Sequence, residues 1–551
     1  MKSDDLWERY CSFDEKDFSE QMDYNKERME RYFHKWRKTD LAKILCQCWP
    51  EGFRDVPATT YSDYPMLTRF GHEMEETITT NPRMKGELFK QYYDRISPQI
   101  GSMLNRYMAE PFCFCMKTTG TTGKSKWLAS GETFWKSFIS NARSIVVLAC
   151  SDRWGETKLK IGDKCLNVTA PIPYASGWGA WAFQRDFTLI PPIEVTDNVR
   201  SMKETYLLTL KAMKSGEKIV AGGGTGSMFY MMCKYLVDPE EFHQEYYRSM
   251  KFGLSKILLR IKLLEYKLSR KDKRNIIDFM PLKGIIVAGM DARLYIDFFK
   301  KEFNLEPLHV YGSTECGNVM RGDPDRKIDL VPDLRTSYLE FKTEDGEIKE
   351  LDELKKGEIY DLVVTPFGST LFRYDMEDFF EVVDFRDDGM PIFAFAGRKM
   401  EILDLYDIFP VNGKEPLRAT PNLFVQALYK AGLRTSDKWA VAKVLEPTEH
   451  LHFLMEKTWP HSEREAEKMI LNSLMETFKT MPETAQSLGH YRGDFKVKEP
   501  SEVVKVEYLK PGAFLRYSII RAKMGSPMGQ YKPPKIIPSE KKEIYETLRS
   551  A

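Results

Sequence analysis

Apolar positions change their spacing several times along the chain. Between residues 5 and 45, Trp7, Tyr10, Phe13, Met29, Tyr32, Phe33 and Trp36 recur at helical spacing among charges, which predicts amphipathic helices packed on a larger body. Met84–Tyr107 keeps the helical period. Glu110–Lys117 alternates like a short strand, Gly131–Asn141 predicts a helix, and Ile145–Cys150 and Lys164–Ala170 predict further strands. Lys218–Gly226 reads as a strand entering a glycine turn, followed by a helix through Met228–Leu236. Val237–Asn275 is long, helical and charged, with the basic run Arg270–Arg274 as a solvated face. Leu282–Ala288 predicts a buried strand ending at Gly289, then a helix over Ala292–Phe303 and a strand over Pro307–Tyr311. Such alternation predicts a largely parallel α/β sheet, with ligands outside the carboxyl ends of its strands.

Farther on, Tyr338–Lys349 and Gly357–Val383 predict a small β-rich region. The texture changes near Met400. Beyond it come helices at Glu415–Thr420 and Ser462–Met481 and strands at Trp439–Leu445 and Leu451–Met455. The expected fold is α/β, α+β overall: a large N-terminal domain over 1–400 with mixed and parallel sheets, and a smaller α+β domain over 401–551.

Composition narrows the function. The 551 residues carry 82 basic and 81 acidic side chains, a net charge of +1, so charge suggests no nucleic-acid or membrane-surface role. Nine cysteines form no Cys-x-x-Cys. The pairs Cys46/Cys48 and Cys113/Cys115 are too close for ordinary bridges, which predicts reduced, packed thiols in a cytoplasmic protein. The start lacks an apolar signal core, and Ser144–Cys150 and Gly284–Gly289 are too short to span a bilayer.

The candidate chemistry begins at Met116–Trp127. Gly120 and Gly123 permit positive φ, so successive N–H groups can face an anion. Thr118, Thr119, Thr121, Thr122 and Ser125 add hydroxyls, and Lys124 and Lys126 add charge. A Walker loop would need glycine at 118, which is Thr118. The strand–loop–helix expected here is the setting for a polyphosphate cradle. Next, Gly177 and Gly179 beside Trp178, Trp181 and Phe183 suggest a tight bend, either a pocket wall for an apolar acyl group or a buried aromatic corner.

In His309–Gly317 a strand stops at Tyr311, and Gly312 allows a sharp turn that displays Thr314 and Glu315 at the sheet edge. A hydroxyl beside a carboxylate suits a phosphate and its Mg²⁺, and equally a plain polar turn. Tyr311 can lie flat against a purine. Leu371–Phe379 places three acids near Arg373. Ribose hydroxyls would satisfy one of them, and a salt bridge to Arg373 would satisfy Asp375 or Glu377. Gly397-Arg398 at a strand end can put a guanidinium on phosphate or ribose. Lys532 sits among glycines and prolines, as a mobile lysine delivered to a site or a plain surface one.

Thr118–Lys126, Tyr311–Glu315, Arg373–Asp378 and Gly397-Arg398 stand in the order found in the adenylate-forming superfamily, which this chain resembles. The tail Gly529–Lys535 resembles that of the auxin-responsive acyl-acid-amido synthetases, and the N-terminal part resembles phenylacetate-CoA ligases. Two positions depart: Glu377 stands where glycine is usual, and Met400 replaces an acid after Gly397-Arg398. The resemblance implies that ATP and Mg²⁺ are used to turn a small-molecule carboxylic acid into an acyl-adenylate. The acyl group then passes to an amine such as an amino acid, or to coenzyme A. A non-catalytic nucleotide-binding protein on the same fold is the other reading. By resemblance, Thr118, Thr119, Gly120, Thr121, Thr122, Gly123 and Lys124 take the β- and γ-phosphates. Thr314 takes the α-phosphate, Glu315 the Mg²⁺, and Asp378 the ribose. Arg398 takes a ribose or phosphate oxygen, with Gly289, Tyr311, Gly312 and Ser313 completing the nucleotide site. Lys532 would act on charge in transit, and the small domain would be mobile.

Overall fold

Two strands, β1 (Phe114–Lys117) and β2 (Trp127–Ser130), form an antiparallel hairpin running from Phe114↔Ser130 to Lys117↔Trp127. The computed structural model describes residues 5–46, 49–118, 125–199, 202–237, 260–261, 264, 280–289, 295–405, 408, 418–433, 438–446, 448–457, 459–479, 500–514, 516–517, 520, 535–539 and 541–551. Cys48, the loop 119–124, nearly all of the charged stretch 238–275, the tail motif 529–534 and Lys532 lie outside these residues.

A seven-stranded sheet follows in the order β4-β3-β5-β6-β7-β8-β9. It comprises β3 (Lys164–Leu166), β4 (Thr188–Ile190), β5 (Ile219–Thr225), β6 (Gly284–Ala288), β7 (Leu308–Ser313), β8 (Gly317–Arg321) and β9 (Val331–Pro332). Strands β3 to β7 are parallel, while β8 and β9 are antiparallel. Thr225 pairs with Ala288 and Ala288 with Val310, so the carboxyl ends of β5, β6 and β7 lie side by side. The glycine run 222–224 lies inside β5 rather than in a turn after it. A Cβ on Gly223 would meet the Ile286 carbonyl oxygen at 2.1 Å, so close strand approach explains the glycine.

The second large sheet is antiparallel, in the order β11-β10-β12-β13-β14. Its strands are β10 (Ser337–Lys342), β11 (Ile348–Lys349), β12 (Ile359–Pro366), β13 (Tyr374–Phe385) and β14 (Pro391–Arg398). Leu330 and Phe393 exchange backbone hydrogen bonds of 2.9 and 2.8 Å and join the two sheets.

The remaining chain begins with β15 (Leu403–Asp404) and β16 (Arg418–Ala419). A four-stranded sheet then runs in the order β19-β18-β17-β20, from β17 (Trp439–Val444), β18 (His450–Glu456), β19 (Val504–Leu509) and β20 (Ile536–Ile537). Alternating side chains face opposite sides. Val441, Leu451 and Phe453 pack under the helices Pro421–Lys430 and Glu463–Lys479, while Ala440, Ala442 and Leu454 share a cluster with the helix Lys542–Ser550. The apolar cluster containing Leu403 to Ile536 shares no residue with the one containing Phe18 to Phe393.

The leading helices pack as their spacing predicts. Helix Phe18–Trp36 buries Met29, Tyr32, Phe33 and Trp36, and Trp36 stacks on Phe372 with ring centroids 3.8 Å apart. Just before it, Asp14 is buried against two guanidiniums. Arg321 reaches Asp14 at 2.8 Å and Asp333 at 3.4 Å, and Arg335 reaches Asp14 at 3.6 Å and Asp333 at 2.9 Å. The eight described cysteines are free thiols. Among the described residues no helix is long and apolar enough to cross a membrane.

Several sequence expectations give way. Ile145–Cys150 is not a strand but the end of helix Glu132–Ala149, in which every residue from Asn141 to Ala149 is buried. That end packs between the seven-stranded sheet and the leading helix Leu6–Tyr10, so the apolar run lacks helical period. Gly177 and Gly179 do not bend the chain, because they lie within helix Ala175–Phe183. A Cβ on Gly177 would meet the Ile172 nitrogen at 2.4 Å, so this glycine serves close packing. The expected helix at Glu415–Thr420 is displaced. Arg418–Ala419 is a strand, Thr420 caps, and the helix starts with Pro421 at its first position.

Candidate active site

The phosphate-loop candidate emerges from a hairpin, not from a strand leading directly to a helix. The chain returns through β2 before helix Glu132–Ala149 begins. Thr118 closes the neck: its N–H donates to the Lys126 carbonyl at 2.8 Å, and its Oγ1 accepts from the Lys126 N–H at 2.8 Å. The residues between, Thr119, Gly120, Thr121, Thr122, Gly123 and Lys124, lie outside the described part. Lys117 is turned away and pairs with Glu75, which also accepts from Trp127 Nε1 at 2.8 Å. Lys126 instead approaches the Tyr374 hydroxyl at 3.4 Å and lies 5.0 Å from the centre of the Tyr61 ring.

Facing this neck is the hairpin between β7 and β8. Strand β7 continues to Ser313 rather than stopping at Tyr311, and Gly312 does not supply the turn's positive φ. Gly317 does, at φ 72°. Gly312 is required for close approach, since a Cβ there would meet Asn318 Oδ1 at 2.4 Å. Ser313 Oγ accepts from the Glu315 N–H at 3.1 Å and the Cys316 N–H at 3.4 Å, so this hydroxyl closes the turn. Thr314 and Glu315 are half-buried in that turn. The Glu315 carboxylate makes no hydrogen bond or ion pair among the described residues. Gly289 follows directly after β6, the strand beside β7, with φ 106°.

The third contributor is β13. Asp378 is 5% exposed, and its Oδ2 accepts from the Tyr311 hydroxyl at 2.6 Å. Arg398, from the end of β14, approaches Asp378 Oδ1 at 3.3 Å with its own side chain 45% exposed. Burial raises the Asp378 pKa, opposed by Arg398 and by the Tyr311 hydrogen bond. One face of the Tyr311 ring lies against Phe395, with centroids 5.7 Å apart. Arg373 does not pair with Asp375 or Glu377. It is buried, and its Nε and Nη2 reach Glu340 at 2.8 and 2.9 Å. Asp375 pairs with Lys342 instead.

Electrostatics ties these pieces together. Burial raises the pKa of Tyr374, and pushes that of Tyr61 to about 12, while the Glu315 carboxylate adds to both. Glu315 and Glu377 also push Asp378 upward. Sequence reasoning missed Tyr61, Tyr374 and Glu401 as site residues. Glu401 has a buried Oε2 without a hydrogen-bond partner, and burial raises its pKa. Tyr374 carried a signal, its place between Arg373 and the acids. Tyr61 sits in a short polar turn, Tyr61–Asp63, and carried none.

The tryptophans divide. Trp178 is 1% exposed, donates from Nε1 to the Cys115 carbonyl at 3.0 Å and packs on Phe114 and Trp135, so it is core behind β1. Trp181 is half-buried against Trp135, and Phe183 packs in the cluster under the leading helix. The helix they share begins beside the loop neck, where the Lys117 N–H donates to the Pro173 carbonyl at 3.1 Å. The structure thus gathers Thr118, Lys126, Tyr311, Glu315, Asp378 and Arg398 through shared contacts and charges, and leaves Trp178 behind the hairpin.

Among the described residues no group of three or more His, Cys, Asp or Glu side chains could hold a metal ion. The Glu315 carboxylate, with no hydrogen bond or ion pair among the described residues, leaves oxygens of the kind a hard cation takes.

No curated protein sequence matches the chain. The profile of the GH3 family central domain matches residues 330–398. Among solved structures, the chain is similar to a GH3.15 acyl acid amido synthetase, with TM-score 0.61 and 17% identity over 95% of this chain and 92% of that one. The same enzyme in complex with 2,4-DB gives TM-score 0.58 and 17% identity over 97% and 96% of the two chains. A 2-hydroxyisobutyryl-CoA ligase in the postadenylation state, in complex with 2-HIB-AMP, gives 0.54 and 13% over 100% and 96%. The chain therefore shares its α/β fold with these solved structures, and its residues 330–398 match the profile of the GH3 family central domain.

Proposed function

We propose that the protein is an ATP-dependent ligase that activates a small-molecule carboxylic acid as an acyl-adenylate and passes the acyl group to an amine. The observation that carries this reading is the meeting of three elements: the hairpin neck at Thr118 and Lys126, the uncommitted Glu315, and the buried Asp378 held by Tyr311. In the first step a substrate carboxylate oxygen attacks the α-phosphorus of ATP, and pyrophosphate leaves. In the second the amine nitrogen attacks the acyl carbonyl, loses a proton, and AMP leaves.

Asp378 is placed to accept from ribose hydroxyls, with Arg398 over the same carboxylate. Thr314 would take the α-phosphate, and residues 118–124 are assigned to the β- and γ-phosphates. A Mg²⁺ held by Glu315 would supply charge neutralisation on the phosphates. Donors and cations fixed where charge develops are usually the largest catalytic term. The division into an adenylating domain over 1–400 and a lid over 401–551 carrying Lys532 belongs to the same proposal, as does a cytoplasmic location. The separation of the apolar clusters on either side of residues 399–402 supports the division.

A second reading, thioester formation with coenzyme A, is favoured by the likeness to the CoA ligase. ATP–pyrophosphate exchange driven by a panel of carboxylic acids tests the first step. Amino acids and coenzyme A supplied in turn, with products identified by mass, test the second. Absence of exchange with every acid, in a protein that still binds ATP, points to a non-catalytic nucleotide binder.

A further inference from the structure

Strands β12 and β13 pair unevenly. Asp361 lies opposite Phe379 and Val363 opposite Asp375, so two steps along β12 face four along β13. The extra residues arch out at Met376–Asp378, which turns Asp378 towards Tyr311 of the neighbouring sheet. The arch passes through Glu377 at φ 55°, a left-handed conformation that side chains rarely adopt. Glu377 itself is exposed, so no packing holds it there. A hydrogen bond does. The Glu377 N–H donates to Asp375 Oδ1 at 2.9 Å. Asp375 Oδ2 takes Lys342, and Lys342 also reaches Asp361 at 2.9 Å. The backbone of Asp375 is fixed as well, its N–H donating to the Thr59 carbonyl at 2.8 Å.

We propose that Asp375, anchored by Lys342 and Asp361, is a positioning residue: it braces the left-handed turn at Glu377 and thereby sets the nucleotide-binding carboxylate of Asp378. The role of Asp378 rests on the function proposed above, whereas the brace is a property of the backbone. Glycine at 377 would enter this conformation without help. Glutamate there needs an acceptor for its N–H, and the carboxylate two residues earlier supplies one.

The test uses the full-length protein, with a fluorescent ATP analogue as ligand and hydrogen exchange at the Glu377 amide as a readout independent of activity. Asp375→Ala is expected to weaken analogue binding roughly tenfold and to speed Glu377 exchange by at least about tenfold, while melting stays cooperative. Asp375→Asn keeps an oxygen acceptor and should hold binding within about threefold of the parent. Adding Glu377→Gly to Asp375→Ala should restore most of the binding, because the strain is gone. Unchanged exchange and binding in a folded Asp375→Ala protein overturns the proposal, and so does failure of glycine to rescue. Should Asp375→Ala not fold, loss of Glu377 protection in folded Asp375→Asn overturns it, and retained protection upholds it. A parent protein that binds no analogue refutes the nucleotide reading, and exchange at Glu377 then decides the brace alone.

Discussion

The Tyr311 hydroxyl donates to Asp378 Oδ2 at 2.6 Å, across the junction between the seven-stranded and five-stranded sheets. One residue lies in β7, the last of the parallel strands, and the other in the arch of β13, so this hydrogen bond links the two sheets alongside the Leu330–Phe393 backbone pair. Asp378 is almost wholly buried, which makes that donor costly to lose.

Tyr311→Phe should therefore destabilise the protein by about 1–3 kcal/mol and weaken ATP binding. The sign with pH follows from burial. Asp378 is already raised above the ordinary carboxylate range, and the Tyr311 hydrogen bond works against that rise. Without it the folded protein holds the Asp378 proton still more tightly, so the loss of stability should grow as pH rises above that range. Urea melts of parent and variant across pH check this. A deficit independent of pH would contradict it.

Glu315→Gln and Asp378→Asn keep the shape of each side chain and remove its charge. Each is expected to lower ATP–pyrophosphate exchange by about a hundredfold or more. They should differ in cause. Glu315→Gln should raise the Mg²⁺ concentration needed for half-maximal exchange, and Asp378→Asn should raise the KM for ATP. Mg²⁺ and ATP titrations of both variants distinguish the two.

Asp361 gives a separate pH signature. Burial pushes its carboxyl up to about 7, and the Asp375 carboxylate beside it adds to the push. The folded state thus binds this proton more tightly than the unfolded chain. The group's favourable contribution is complete below the ordinary carboxylate pKa and is lost as pH rises through about 7. Asp361→Asn mimics the protonated form, so its stability relative to the parent should climb between about pH 5 and pH 8, by on the order of 1 kcal/mol. Thermal melts at the two ends of that range measure it.

Arg373 looks from the sequence like a salt-bridge partner for Asp375 or Glu377. Buried against Glu340 and the Arg54 and Val56 carbonyls, it is expected to act on stability instead. Arg373→Ala leaves the Glu340 carboxylate buried without its partner, for a loss of about 3–5 kcal/mol. Any protein that remains folded should bind ATP with nearly the parent affinity, as read by ligand titration at low temperature.

The helical period of the leading segment could be read from apolar spacing because its helices bury one face, whereas β6, with Ile285 and Val287 in one cluster and Ile286 against another, was legible as a short apolar run ending at glycine. Ile145-Val-Val-Leu could not be read. A helix covered on both sides loses its period and imitates a strand. The turn around Glu315 was legible through its residue types, yet its geometry depends on Gly317 and on Ser313 closing the loop, features shared by many polar turns. Asp378 could be singled out by motif order, but not its contact with Tyr311, which joins residues 67 positions apart in the chain. Tyr61 is the limiting case: only the fold brings it beside Lys126.

Asp14, Asp333, Arg321 and Arg335 form an interior group of two acids and two bases, with Asp14 contributed from just ahead of helix Phe18–Trp36 and Asp333 and Arg335 from the turn between β9 and β10. The segment carrying Asp14 is thus part of the molecule's charge balance. A shortened protein beginning after Asp14 would keep its sheets intact on paper, but would enclose two guanidiniums against a single carboxylate. Choosing where to start an expressed fragment is consequently an electrostatic decision.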